Sequence, residues 1–114
     1  MQFLLLIYDQ ENRWTQLSQD QQNSETQEYG AFGQEFANAI RGGNALQPTV
    51  TAKTVRQRNG KPQVTDGPFA ETKEQLGGYY PVEAADLNEA IAIGARIPWA
   101  RYGSIEVRPI LTFS

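Results

Sequence analysis

The feature that most constrains this chain is a run of six consecutive apolar residues near its start, Phe3-Leu4-Leu5-Leu6-Ile7-Tyr8, closed by Asp9-Gln10-Glu11-Asn12. Side chains on a strand alternate between the two faces of a sheet, so an uninterrupted apolar run predicts a strand buried on both faces. Whatever fold the chain adopts must therefore cover both sides of this strand. The run is too short to cross a bilayer and has no basic flank or small-residue cleavage site, so no membrane association is expected and the location expected is cytoplasmic. With 114 residues, the chain is expected to form one domain over residues 1–114. A domain of this size buries about 65% of its unfolded surface, which leaves a modest core that association with another copy would enlarge.

Further along, Ser18 followed by Gln21 is a capping-box pattern and predicts a helix start. Tyr29, Phe32, Phe36 and Ile40 then recur at spacings of three, four and four, one apolar stripe that runs to Gly42-Gly43-Asn44, read as the helix end. The first turns, Gln19 to Glu28, are almost wholly polar and are expected to face solvent. Thr49 to Arg56 is rich in β-branched residues, and Asn59-Gly60 separates it from Lys61 to Thr65. Asn-Gly between two strand-like runs is a strong hairpin signal, because both residues accept positive φ. Asp66-Gly67-Pro68-Phe69 reads as a turn, Ala70 to Leu76 as a short polar excursion with helical character, and Tyr79 to Ala84 as a further strand. Pro81 cannot donate to a ladder, so that strand belongs near an edge or carries a bulge.

Asp86 with Glu89 is a second capping box, opening a helix over Leu87 to Ile97 that Pro98 stops. Its apolar face is read as Leu87, Ala90, Ile91, Gly94 and Ala95, widened by Ile93 and Ile97. Ile105 and Val107 alternate with Glu106 and Arg108 in a last, half-polar strand. The order predicts an α+β domain, a ferredoxin-like split βαβ with an inserted β-hairpin. Two helices cover one face of such a sheet. The doubly apolar first strand then calls for a second copy on the open face, a two-fold homodimer of the dimeric α+β barrel type. Leu5 and Ile7 are taken as positions where an added charge would break it.

Composition narrows the chemistry. There is no His and no Cys, which excludes thiolate nucleophiles, imidazole bases and Ser-His-Asp mechanisms. Ten Lys and Arg against thirteen Asp and Glu give a net charge of −3, which argues against a nucleic-acid partner. Asp9, Glu11 and Asp66 match no calcium or magnesium loop, so neither metal nor other cofactor is expected.

The stretch from Asp66-Gly67-Pro68-Phe69 through Lys73 to Gly77-Gly78-Tyr79-Tyr80 closely resembles the signature of the DGPF-domain branch of the YCII-related family. Leu5 to Tyr8, Thr54-Val55-Arg56, Arg96-Ile97-Pro98 and Gly103 to Pro109 resemble the same branch. The resemblance implies a ferredoxin-like dimeric α+β domain and an association with extracytoplasmic-function sigma factors. It also implies a histidine–aspartate pair in many members, and a relative that acts as a dehydrochlorinase. This chain carries neither half of that pair, having no histidine and Ile97 where others place an aspartate.

Asp66 and Glu71 are the candidate general bases, Asp66 because Gly67 leaves its backbone open to a ligand. An Asp at this position also serves a turn by accepting its own downstream amides. Lys73 lies between Glu71 and Glu74, as a modulator of their ionisation or as part of a surface ion-pair network. Arg56 and Arg108, on strands, are candidate clamps for an anionic ligand or cross-strand partners of Glu106 or Glu83. Tyr8, Tyr79 and Tyr80 either orient a ligand through their hydroxyls or pack as aromatics with one wet end. Two functions follow as expectations. One is a small-ligand-binding or regulatory dimer working beside a sigma-factor-associated or stress-response partner; the other is a cofactor-free hydrolase or lyase using Asp66 or Glu71.

Overall fold

In the computed structural model, which describes residues 1–113, the apolar run becomes β1 (Gln2–Asp9). Its side chains divide by parity. Phe3, Leu5, Ile7 and Asp9 are buried on one face, while Leu4, Leu6 and Tyr8 are half-buried on the other. β1 is flanked on both sides by antiparallel partners, β5 (Gln75–Glu83) and β6 (Ser104–Pro109). A two-residue strand, β2 (Asn44–Ala45), joins the far edge of β5, giving the order β2-β5-β1-β6. With α2 (Gln19–Glu35) before β2 and α3 (Leu87–Ala95) between β5 and β6, this is the ferredoxin-like α+β arrangement expected. Between β2 and β5 stands the hairpin of β3 (Lys53–Arg58) and β4 (Lys61–Asp66), a separate two-stranded sheet. Asn59 and Gly60 take φ of 55° and 75°, the doubly positive turn that Asn-Gly favours.

The capping box at Ser18 forms in both directions: Ser18 Oγ accepts from the Gln21 amide at 3.1 Å, and Gln21 Oε1 accepts from the Ser18 amide at 3.0 Å. The helix nevertheless stops at Glu35, well before Gly42-Gly43. The following residues unwind because β5 offers them an edge. Ile40 bridges to Val82, the Glu83 amide donates to Ala39, and the Arg41 amide donates to the Pro81 carbonyl. That last bond also places Pro81 as its chemistry requires, with its missing N–H on the thinly paired side of β5.

Other expectations change. Glu11–Gln16, where no element was expected, forms a short helix, α1. Ala70 to Leu76 is not helical: Gln75 and Leu76 pair with Asp9 and Tyr8 across a bulge, so β5 starts before the glycines. In α3 the buried face is Ala90, Ile93 and Gly94, continued by Ile97, while Leu87 and Ile91 are exposed. Gly94 sets this rotation, because a side chain there would already touch Ile105 and Val107 at 3.4 Å. Asp86 caps the helix by accepting from the Glu89 amide at 2.9 Å.

The core therefore lies between the sheet and its helices, with Phe3, Leu5, Val82 and Ile97 fully buried. Phe32 from α2 packs on Tyr80 with ring centroids 5.2 Å apart. Leu5 and Ile7 belong to this core, and it is Leu4 and Leu6 that face outward. Leu5→Ala should cost about 2–5 kcal/mol of stability, the range for emptying a buried leucine site, and Leu4→Ala less than half of that at dilute, monomeric concentrations. Urea unfolding of the two variants checks this; equal losses would contradict the assignment of faces.

Candidate functional site

The site starts where β1 ends. Asp9, 4% exposed, accepts from the Gln10 amide at 2.7 Å and from Arg13 Nε at 2.5 Å. Arg13 reaches back across the junction of α1 with β1 to make that contact, and its two terminal nitrogens grip Glu25 of α2 bidentately, each at 2.9 Å. Glu25 is 6% exposed and also accepts from the Trp99 indole at 2.8 Å. The guanidinium lies 4.2 Å from the Tyr102 ring centroid and 5.4 Å from that of Trp99. Arg13 thus ties together the end of the sheet, both N-terminal helices and the segment after α3. Its hydrogen bonds hold the Glu25 carboxyl below the usual carboxylate range against the opposing effect of burial. The pairing raises the guanidinium in turn.

Around this anchor, Trp14 and Tyr29 pack on Trp99 with centroids 5.9 and 5.8 Å apart. They form one wall of a cavity of about 650 Å³ between the helices and the sheet. Ile7 and Tyr80 form its floor, Gly77 and Gly78 contribute backbone, and the segment Ala45 to Pro48 closes the other side. Its volume falls within the usual range for small-molecule sites. Burial pushes the hydroxyls of Tyr29 and Tyr80 up, so both stay neutral donors at physiological pH. The carboxylates at the cavity are already engaged. Besides Asp9, Glu11 accepts from the Thr49 amide at 2.6 Å and from Thr49 Oγ1 at 2.8 Å; Glu25, bound by Arg13 and Trp99, is outside the lining. This surface can bury a flat, largely apolar molecule and hydrogen-bond its oxygens. A more open polar groove, carrying Asn12, Thr15 and Lys73, adjoins the mouth at Glu11 and Gln75.

Of the residues singled out in the sequence, Tyr80 lines the cavity and Lys73 the adjoining groove. Asp66 stands exposed at the end of β4, paired with Lys53, and Glu71 is exposed on the following loop. Arg56 lies on the hairpin. Tyr8 and Arg108 lie on the opposite face of the sheet, where Arg108 pairs with Glu106 of its own strand. Tyr79 shares that face and accepts from Asn44 Nδ2 at 2.7 Å, while Glu83 takes the N-terminal ammonium at 2.7 Å. The structure therefore does not bring Asp66, Glu71, Arg56 and Arg108 to one place. Among the described residues no group of three or more carboxylates is arranged to hold a metal ion.

Trp99 follows the second predicted helix, where the sequence leaves a pocket rim and a dimer contact both open, and it lines the cavity. Arg13, Trp14 and Glu25 were not singled out for this role, although two signals point to Arg13 and Glu25. Asp9 and Arg13 stand four apart, a helical ion-pair spacing. Glu25 extends the Tyr29, Phe32, Phe36 stripe by one turn, so the expectation that Gln19 to Glu28 faces solvent fails at that position.

Because the native Glu25 carboxyl is depressed, its contribution to stability is complete above the ordinary carboxylate value of 4.5 and is lost as pH falls through the lower native value. Glu25→Gln should flatten that part of the acid limb and cost on the order of 3 kcal/mol at neutral pH by leaving Arg13 half-paired. Denaturation across acidic pH checks it; a wild-type curve and a variant curve of the same shape would contradict the pairing.

The fold has a solved counterpart in 5-chloro-2-hydroxyhydroquinone dehydrochlorinase from Burkholderia phenoliruptrix AC1100, determined in complex with 2,5-dihydroxybenzoquinone. The two superpose with a TM-score of 0.57 over 97% of this chain and 94% of that one, at 14% identity, so the likeness is one of fold. In sequence, an uncharacterised protein of Rhizobium meliloti (strain 1021) is 34% identical over 117 residues, covering 99% of this chain and 94% of the relative. The family model for the YCII-related domain matches residues 1–114. On that full-length match, the chain belongs to the YCII-related family.

Proposed function

We propose that this protein binds a small, flat, oxygen-bearing aromatic or quinoid molecule in the cavity beneath Trp14 and Trp99, and does so as a homodimer. The observation that carries the reading is the cavity's chemistry: aromatic walls, neutral phenol donors at Tyr29 and Tyr80, and carboxylates already satisfied by the chain itself. Such a lining favours binding over proton abstraction, since a general base needs a free lone pair aimed at the substrate. The dihydroxybenzoquinone held by the structural neighbour supports the size and class of the ligand. That neighbour's dehydrochlorinase activity also keeps a cofactor-free enzyme in view, and assays for turnover belong beside those for binding. The catalytic role considered for Asp66 and Glu71 has less support, because both are exposed and outside the cavity lining.

Support for the homodimer comes from the outer face of the sheet. Leu4, Leu6, Tyr79 and Pro81 share that face without a helix over them, and a second copy is the simplest cover. A regulatory use beside a sigma-factor-associated partner draws on the DGPF resemblance.

The test is a thermal-shift screen against hydroxylated aromatic acids and quinones, with 2,5-dihydroxybenzoquinone included. A ligand at about 100 times its Kd adds about 2.7 kcal/mol, on the order of 10 °C here. The shift should vanish in Leu46→Arg, which fills the cavity mouth from an exposed position, and persist in Asp66→Asn. No shift with any probe, or a shift that survives Leu46→Arg and disappears in Asp66→Asn, would overturn the assignment of the site.

A further inference from the structure

The hairpin β3–β4 stands largely uncovered by the rest of the chain. Every residue of β4 is exposed, and the cross-strand partners Val55 and Val64 are 63% and 61% exposed. Pro62 shares their face, and near the base of the hairpin Val50 and Phe69 are more exposed still. A two-stranded hairpin on its own is marginal in water and needs something to pack on. Its own body does not supply this. The Gly67 amide donates to Ala52 and Thr54 Oγ1 donates to the Gly67 carbonyl, both at 2.8 Å, which fixes the base. The described residues extend 48 × 47 × 19 Å with a radius of gyration of 16.1 Å, against roughly 13 Å for a compact domain of this length.

Charge says what the occupant is. The hairpin carries Lys53, Arg56, Arg58 and Lys61 against Asp66 alone, so it holds three net positive charges. The remaining hundred residues hold six net negative charges, which together give the −3 of the chain. A basic arm fixed at its base away from its own acidic body is complementary to the acidic body of another copy. The same acidic body works against a nucleic acid at the hairpin.

We infer that β3–β4 is an exchanged arm: in a two-fold pair, each hairpin lays its Val55/Val64 face, which also carries Lys53, on the other copy, while Arg56, Arg58 and Lys61 project from the other face of the hairpin and give the arm its net positive charge. This rests on the two-copy assembly proposed above and adds a second contact to it. Because threonine keeps the β-branched shape, the double variant Val55→Thr/Val64→Thr should retain the hairpin while removing its apolar face.

The experiment uses the full chain in two readouts. Sedimentation velocity should show the dimer Kd of the double variant raised at least about tenfold over wild type, with wild-type association weakening in about 0.5 M salt. Carbodiimide cross-linking of a one-to-one mixture of ¹⁴N- and ¹⁵N-labelled wild-type chains should give mixed-isotope peptides joining Lys53 or Lys61 to carboxylates of the other copy. An unchanged Kd with only single-isotope cross-links would overturn the arm and leave the sheet-to-sheet dimer standing. A monomer at all concentrations would overturn both. Binding of a short DNA duplex that weakens steeply with salt and is lost in Arg56→Gln/Arg58→Gln, with no mixed-isotope peptides, would overturn the arm by assigning the hairpin to nucleic acid.

Discussion

Arg13 is the residue on which the rest of the candidate site depends. One guanidinium satisfies Asp9 at the end of β1 and both oxygens of Glu25 on α2, and Glu25 in turn receives the Trp99 indole. Two carboxylates this deeply buried would be costly without a shared cation, and a planar fork is the side chain that serves both. Removing it would leave two uncompensated charges beneath the aromatic wall. The shape of the cavity wall follows from this anchor. The interactions that hold Trp99 upright also occupy Asp9, while Glu11, the other carboxylate of the lining, is occupied separately by Thr49.

Strand parity divides the labour of the sheet. On the helix-covered side, Phe3, Leu5 and Ile7 build the core, and Ile7 with Asp9 reaches the cavity. On the other side, Leu4, Leu6 and Tyr8 line a face with no helix over it among the described residues. The fold therefore presents the cavity and the proposed association face back to back, sharing the same central strand. A one-residue register slip in β1 would exchange them and destroy both. The family membership fits this layout without naming a reaction, and the proposed ligand class rests on the cavity's own surface.

Much of the fold was legible because its signals are local. The six-residue apolar run, the Ser18 capping box, the Asn59-Gly60 turn and the alternation at Ile105 to Arg108 each declare an element by spacing alone. The misreadings share one cause, contacts distant in sequence. α2 ends early because Phe36 to Ile40 finds an edge on β5, and α3 turns its Ala90, Ile93, Gly94 face inward because Gly94 admits β6 closely. The candidate site was less legible for a related reason. Asp66, Glu71 and Lys73 cluster in sequence, and their density drew attention, yet the chain spreads them over the hairpin end, a loop and a groove. Glu25 and Trp99 lie 74 residues apart and meet only through the packing of α2 on the segment after α3. The spacing from Glu25 to Tyr29 and Phe32 hinted at a buried carboxylate; nothing in the spacing named its partner.

The most direct test of the central claim, that the Arg13–Glu25 pair holds Trp99 and with it the cavity wall, is hydrogen exchange at the two tryptophan indoles by NMR. The Trp99 indole N–H, which donates to a buried carboxylate, should exchange far more slowly than that of Trp14, for which the structure gives no such acceptor. In Arg13→Met that protection should collapse while β1 and β5 amides stay protected. Equal, rapid exchange at both indoles in the wild-type protein would contradict it.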